Sequence, residues 1–168
     1  MLSEPTVPEG WRVVTWLERV PEGHLDAYVL ARAAMDDAPA DEGMEFPAAS
    51  AESVRAMEQA LAARDREMRV TVALADDGEI GAFTELRLTP GSSQAVTDDT
   101  GTVATHRRKG LARAVKLESL RRLRDDHAEV ETVITTNAEE NAAMRGLNAI
   151  IGFEPVVTTT LATLPVAR

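Results

Sequence analysis

THRRKGLAR, residues 105–113, decides how the rest of the chain reads. From Gly110 to about Arg124 the apolar residues Leu111, Ala114, Val115, Leu117, Leu120 and Leu123 recur at helical spacing. The first turn of a helix carries unpaired N–H groups and roughly half a positive charge, so it favours Asp or Glu. Here Arg107, Arg108 and Lys109 crowd that end instead. Cations placed where the helix already repels them imply an anion that the sequence itself does not supply. Residues 100–104 read as a short strand, which puts the cluster in a strand-to-helix turn. Gly110 lets a ligand approach the backbone, Ala112 is too small to block it, and the helical N–H groups converge on one point. A pyrophosphate fits this arrangement. A nucleoside-triphosphate loop would need Gly-Lys-Ser or Gly-Lys-Thr, and a dinucleotide turn would need more glycines.

Composition narrows the alternatives. The net charge of −10 argues against a general nucleic-acid binder, yet residues 107–124 hold eight Lys or Arg against one acid, Glu118. The plain reading of such a run is a solvated helix face; the cations ahead of the first turn ask for more. No cysteine is present, which excludes disulfides, thiolate metal sites and cysteine nucleophiles, and three scattered histidines point to no metal. No apolar run approaches the ~20 residues of a membrane span, and MLSEPTVPEG lacks the regions of a secretory signal, so a cytoplasmic location is expected. At 168 residues and 44% hydrophobic content the chain suits one domain with a sizeable core.

Periodicity predicts a strand at 11–18, a helix at 24–35, and an acidic loop reaching Ser50, which can cap a helix at 51–66. Strands at 68–75 and 79–88 flank Asp-Asp-Gly, a hairpin signal. After a loop rich in Pro, Gly and Ser come the strand at 100–104, the helix at 110–124, a strand at 131–137, a helix at 139–151 and a threonine-rich strand at 154–164. The order β-α-α-β-β-β-α-β-α-β describes one mixed α/β layer structure, without repeats or linkers.

The turn and a second stretch together resemble a known family. Arg107-Arg108-Lys109-Gly110-Leu111-Ala112 is similar to the Q/R-x-x-G-x-G/A motif of the GNAT N-acetyltransferases. In NAEENAAMRGLNAIIGF, residues 137–153, Asn141 is followed eleven and twelve residues later by Gly152 and Phe153, which resembles the family's second motif. The resemblance is clear over residues 68–155, and TGTVATHRRKGLA with TTNAEENAAM looks most like one unit of bacterial tandem acetyltransferases. It implies the GNAT acyl-CoA N-acyltransferase fold: a central mixed sheet with splayed central strands, flanked by about four helices. It also implies one domain over 1–168, with an acceptor-side part at 11–67 and an acetyl-CoA-binding core at 68–155.

Carried over residue by residue, the resemblance assigns backbone groups of Thr102 and Val103 to pantetheine and to the thioester carbonyl. Arg107 takes the Q/R position, and the amides of Arg108, Lys109, Gly110, Leu111, Ala112 and Arg113 wrap the pyrophosphate of acetyl-CoA. Asn141 matches the Asn that touches the coenzyme. Structural readings stand beside these: Val103 and Leu111 as core, Asn141 as a helix cap. At Asn148 the chain departs from the family, many of whose members carry a Tyr there to protonate the leaving thiolate; Asn has no proton of useful acidity. Asn148 either hydrogen-bonds the sulfur, positions a water, or is a satisfied buried amide.

The general base has to be sought among carboxylates. Glu85 interrupts an apolar strand, and period-two alternation puts it on the same side as Phe83; the alternative is that Gly81 and Ala82 mark an irregular strand and Glu85 faces solvent. Asp99, just before the coenzyme strand, is the second candidate, or else a turn residue. Asp36 and Asp37, in the acidic loop, would attract a cationic amine, although such loops are often just solvated. The combined expectation is transfer of the acetyl group of acetyl-CoA to a primary amine of a small cationic acceptor, by direct attack in a ternary complex, with no metal, nucleic acid or membrane involved. A catalytically degenerate acetyl-CoA-binding domain is the main alternative, and a DNA-binding basic helix a weaker one, with only six aromatic residues for stacking. The final strand offers an edge through which a homodimer could form.

Overall fold

The computed structural model of the protein describes residues 3–33 and 48–158. Its elements run β1 (Trp11–Leu17), α1 (Leu25–Arg32), α2 (Ala51–Ala62), β2 (Glu67–Ala75), β3 (Ile80–Leu88), β4 (Gln94–Thr102), α3 (Leu111–Asp126), β5 (Thr132–Thr135) and α4 (Ala142–Ile151). The strands form one sheet in sequence order, antiparallel from β1 to β4, with β5 parallel to β4.

Both faces of the central strands are covered, which is why β2 and β3 are buried almost throughout. On β2, Met68, Val70, Val72 and Leu74 join Phe83 of β3 beneath Leu25, Tyr28 and Ala31 of α1 and Val54 of α2. The alternate residues Ala73, Ala82, Leu86 and Leu88 pack with Leu111, Val115, Leu120 and Leu123 of α3. α1 and α2 therefore lie on the opposite face of the sheet from α3, the helix of the basic turn.

Local signals account for the borders. Ser50 and Ser53 cap α2 reciprocally, the Ser53 N–H donating to Ser50 Oγ at 3.0 Å and the Ser50 N–H to Ser53 Oγ at 2.9 Å. Asp-Asp-Gly turns the β2–β3 hairpin as expected, with Gly78 at φ +92°. At the end of α4, Gly152 at φ +111° stops the helix, and the Phe153 N–H reaches back to the Asn148 carbonyl at 2.9 Å.

Three expectations need correction. The strand before the basic turn begins at Gln94 rather than at 100, because Ala95, Thr97 and Thr100 point inward across an interruption that the sequence disguises as a loop. That interruption is a bulge: Thr84 pairs with Thr100 but Leu86 with Thr97, so β4 carries one surplus residue at Asp98-Asp99. Where a strand was expected at 154–164, residues 154–158 form none, and the remainder lies outside the described residues. α2 also stops at Ala62 rather than near Arg66.

Candidate functional site

The turn from β4 to α3 keeps the features of an anion site. After a 3-10 turn at Ala104–His106, Arg108 and Gly110 take left-handed conformations, φ +63° and +83°. Gly110 is the N-cap of α3; no side chain caps this end and no acid occupies the first turn. Arg107, Arg108, Lys109 and Arg113 are exposed around it, whereas Leu111 turns its side chain into the core and leaves only its backbone to the turn. The loop has a prop on one side. Lys109 Nζ lies 3.2 Å from His106 Nδ1, His106 Nε2 lies 2.9 Å from Glu79 Oε1, and the imidazole meets the edge of Trp11 with ring centres 4.8 Å apart. Trp11 lies against Gly81, where an added Cβ would stand 2.7 Å from Trp11 Cζ3 and 2.8 Å from Leu111 Cδ1. Gly81 therefore marks a close approach of the indole and α3, as well as the register shift of β3 against β2.

β4 leads from this turn along an open edge. It pairs with β5 only from Gln94↔Thr132 to Thr97↔Thr135, so among the described residues no strand flanks residues 98–102 on that side. The expected splay of the central strands is thus present. Val103 is not available to it: its N–H donates to the Gly81 carbonyl at 3.0 Å, and its own carbonyl accepts from His106 N–H at 2.8 Å. Both its backbone groups are committed, so the predicted role of Val103 in polarising a carbonyl is withdrawn. By antiparallel alternation, the Val103–Gly81 bond makes Thr102↔Ala82 a non-hydrogen-bonded pair and turns the N–H and C=O of Thr102 toward the open edge. Thr100, paired with Thr84, has the same orientation, and their hydroxyls, 2.8 Å apart, lock the register past the bulge.

Next to the bulge is a buried ionic cluster. Glu85 faces α1 together with Phe83, as its spacing predicted, and is 3% exposed rather than solvent-facing. Its Oε1 accepts from both the Tyr28 hydroxyl and Arg32 Nη1, while Arg32 Nη2 donates to Asp99 Oδ2 at 2.9 Å. One guanidinium thus joins the two carboxylates singled out from sequence. The Tyr28 ring meets Phe83 edge-on at 5.6 Å, and the Arg32 guanidinium carbon lies 5.9 Å from the centre of the same ring. Burial pushes the Tyr28 phenol above its ordinary range, with Arg32 opposing, so it keeps the proton that it donates to Glu85. Asp98, the other bulge residue, pairs with Arg87 Nε at 2.9 Å; burial pushes its carboxyl up, and Asp99 adds to this against the pull of Arg87. Sequence reasoning missed Arg32 and Asp98. Arg32 follows Tyr28 by four residues on one helix face, and Asp98-Asp99 is an acidic doublet in a strand, but the partners of both are set by the fold.

α4 supplies two asparagines. Asn141 Oδ1 caps the helix by accepting from Met144 N–H at 3.1 Å, so the structural reading of Asn141 holds in this state. Asn148 is 4% exposed; its Nδ2 lies 3.4 Å from Asn137 Oδ1, and its own Oδ1 is buried without a partner among the described residues. It is not the satisfied amide that was the plain alternative. Asp36 and Asp37 lie outside the described residues.

Neither a protein-family model nor a curated protein matches this sequence. Solved structures do match. A tandem GNAT protein from the clavulanic acid biosynthesis pathway, determined without acetyl-CoA, superposes with a TM-score of 0.76 at 29% identity over 90% of this chain. The chain's solved neighbours are GNAT acetyltransferases, which supports a GNAT-family assignment. The chain spans 44% of the length of that tandem protein. It also shares its fold with the aminoglycoside N-acetyltransferase AAC(6')-Iy in complex with CoA, at TM-score 0.65 and 16% identity over 95% of this chain and 99% of the other. A probable acetyltransferase matches at TM-score 0.61 and 19% identity, over 94% and 99%. The five-stranded mixed sheet and four helices of the described residues are the GNAT acyl-CoA N-acyltransferase arrangement.

Proposed function

We propose that this GNAT domain is an acetyl-CoA-dependent N-acetyltransferase that acts on a primary amine of a small cationic acceptor. The observation that carries the reading is the open edge of β4 at residues 98–102, which runs from the uncapped, cation-ringed start of α3 to the carboxylates of the bulge. Acetyl-CoA suits these groups: its pyrophosphate matches the amides of residues 108–113, its pantetheine arm matches the edge groups of Thr100 and the N–H of Thr102, whose carbonyl already accepts from Arg107 Nε at 3.4 Å, and Asn148 Oδ1, without a partner among the described residues, is left to accept an amide hydrogen. The coenzyme supplies the activated acyl group.

The residues then divide the work. The Thr102 N–H, in place of Val103, polarises the acyl carbonyl, and the half-exposed Asp99 holds the amine and takes its proton, directly or through water, as the new C–N bond forms. Glu85, saturated at Oε1 by Tyr28 and Arg32, anchors Arg32 and is reassigned from base to support. Asn148 itself has no proton of useful acidity, so in this reading the thiolate leaves to be protonated by solvent. The solved AAC(6')-Iy and tandem GNAT structures support acetyl transfer at the level of family, and the acidic bulge supports the cationic acceptor.

Calorimetric titration of acetyl-CoA into the wild type and an Arg108→Glu, Gly110→Asp variant, followed by an assay of thiol release with a panel of amines, tests this. Micromolar binding lost in the variant, with turnover of at least one amine, is the expected result. Binding without turnover would instead identify a coenzyme-binding domain, a reading favoured by the absence of a Tyr at Asn148. No binding would overturn both.

A further inference from the structure

The arginine between the two carboxylates has a consequence for the acceptor. Arg32 uses different nitrogens for its partners, Nη1 for Glu85 and Nη2 for Asp99, so the second contact can break while the first stays. The partners differ in access: the side chain of Glu85 is 3% exposed and that of Asp99 41%, with Arg32 between them at 19%. Tyr28 holds the same oxygen of Glu85, and the guanidinium lies over Phe83, so the inner half of the cluster is fixed. An ammonium group approaching from solvent meets Asp99, the more exposed of the two carboxylates, already occupied by Nη2.

We infer that Arg32 is a specificity-determining residue whose Nη2 contact with Asp99 is exchanged for the acceptor, so that the favoured acceptors carry an oxygen on the carbon next to the amine-bearing one. The exchange frees two complementary groups at once: a carboxylate oxygen on Asp99 and an N–H on Arg32 Nη2. A simple alkylamine satisfies the first and strands the second, and an unmatched, partly buried charged donor is penalised. A 1,2-amino alcohol satisfies both, its ammonium on Asp99 and its neighbouring hydroxyl oxygen on Nη2. Because Arg32 remains on Glu85, its charge is never left alone in the interior. This inference rests on the acetyltransferase reading and names the acceptor class for it.

The test compares 2-amino-1-butanol with butylamine, matched in amine and chain length, on wild type, Arg32→Lys and Arg32→Gln. Each amine is titrated calorimetrically into protein saturated with CoA, and kcat/KM is measured with acetyl-CoA. The wild type is expected to prefer the amino alcohol on the order of tenfold in both measurements. Arg32→Lys, which keeps a charge for Glu85 but cannot span both carboxylates, and Arg32→Gln are expected to lose that preference at unchanged acetyl-CoA affinity, which also reports that they are folded. Equal binding of the two amines by the wild type, or a preference that survives in both variants, overturns the inference even if both amines are acetylated. Acetylation of neither amine, together with failure to bind acetyl-CoA, overturns the underlying reading instead.

Discussion

Val103 donates its amide hydrogen to the carbonyl of Gly81 at 3.0 Å, tying the end of the open strand to a residue of β3 that lies against the Trp11 ring. The same glycine touches Leu111, so the sheet, the indole and the first residue of α3 meet there.

Gly81→Ala is therefore expected to disturb both stability and coenzyme binding. Its Cβ would stand within 2.8 Å of Leu111 Cδ1 and still closer to the indole, forcing Trp11 outward at a cost of about 1–3 kcal/mol, read as a lowered denaturant midpoint. Because Trp11 backs His106, and His106 backs Lys109, acetyl-CoA affinity should fall several-fold as well. Unchanged affinity in a destabilised variant would show that the prop does not shape the turn.

Asp99→Asn and Glu85→Gln should fail in different ways. The first is expected to lower kcat on the order of 100-fold with acetyl-CoA affinity and melting behaviour retained. The second removes the buried half of the cluster while Arg32 keeps Asp99, and is expected to destabilise the fold by about 1–3 kcal/mol. Equal losses of kcat at equal stability would return Glu85 to the role of base.

Lys116 is expected to set a pH dependence of stability. It is 2% exposed on α3, its Nζ lies 5.3 Å from the centre of the Phe153 ring, and burial pulls its ammonium from 10.5 down to about 8. A folded pKa below the unfolded one means that the folded state holds its proton less tightly. Stability then rises with pH between about 8 and 10.5, and below about 8 the burial penalty is felt in full. Lys116→Met should consequently raise stability at pH 7 by about 1–2 kcal/mol, after allowance for the lost ring contact, with the gain closing toward pH 10.5. Urea melts at the two ends of that range check it; a gain independent of pH would assign the effect to packing.

Asn148→Leu replaces an amide whose Oδ1 lacks a partner among the described residues with an apolar group of similar size. The coenzyme-free protein should be unchanged or stabilised by about 1 kcal/mol. The stabilisation brought by saturating acetyl-CoA should shrink if that oxygen accepts a hydrogen from the coenzyme, and thermal shifts with and without acetyl-CoA read both quantities.

The sequence carried most of the local structure because its decisive residues act over a few positions. Ser50 caps and Asp-Asp-Gly turns where they were expected, and Gly110 and Gly152, at helix borders that the periodicity places, supply left-handed conformations. β4 was hidden for the opposite reason: period-two alternation cannot be followed through a bulge, and Asp98-Asp99 has the composition of a turn. The facing of Glu85 was legible from Phe83, but its partners stand 53 and 57 residues earlier, so the ionic cluster it joins needed the fold. Val103 likewise showed only that it ended a strand; which way its amide points depends on its pairing with Gly81.

The surplus residue in β4 also bears on how this domain can be re-engineered. It shifts the odd–even phase of the strand, so that Thr97 and Thr100, three positions apart, both turn inward. A graft that imports a relative's coenzyme strand must bring its bulge at the same position, because a straight strand would exchange the inward and outward sets from residue 98 onward and carry that error into the turn. Deleting Asp98 or Asp99 is thus a topological edit, and its effect should reach every residue up to Gly110.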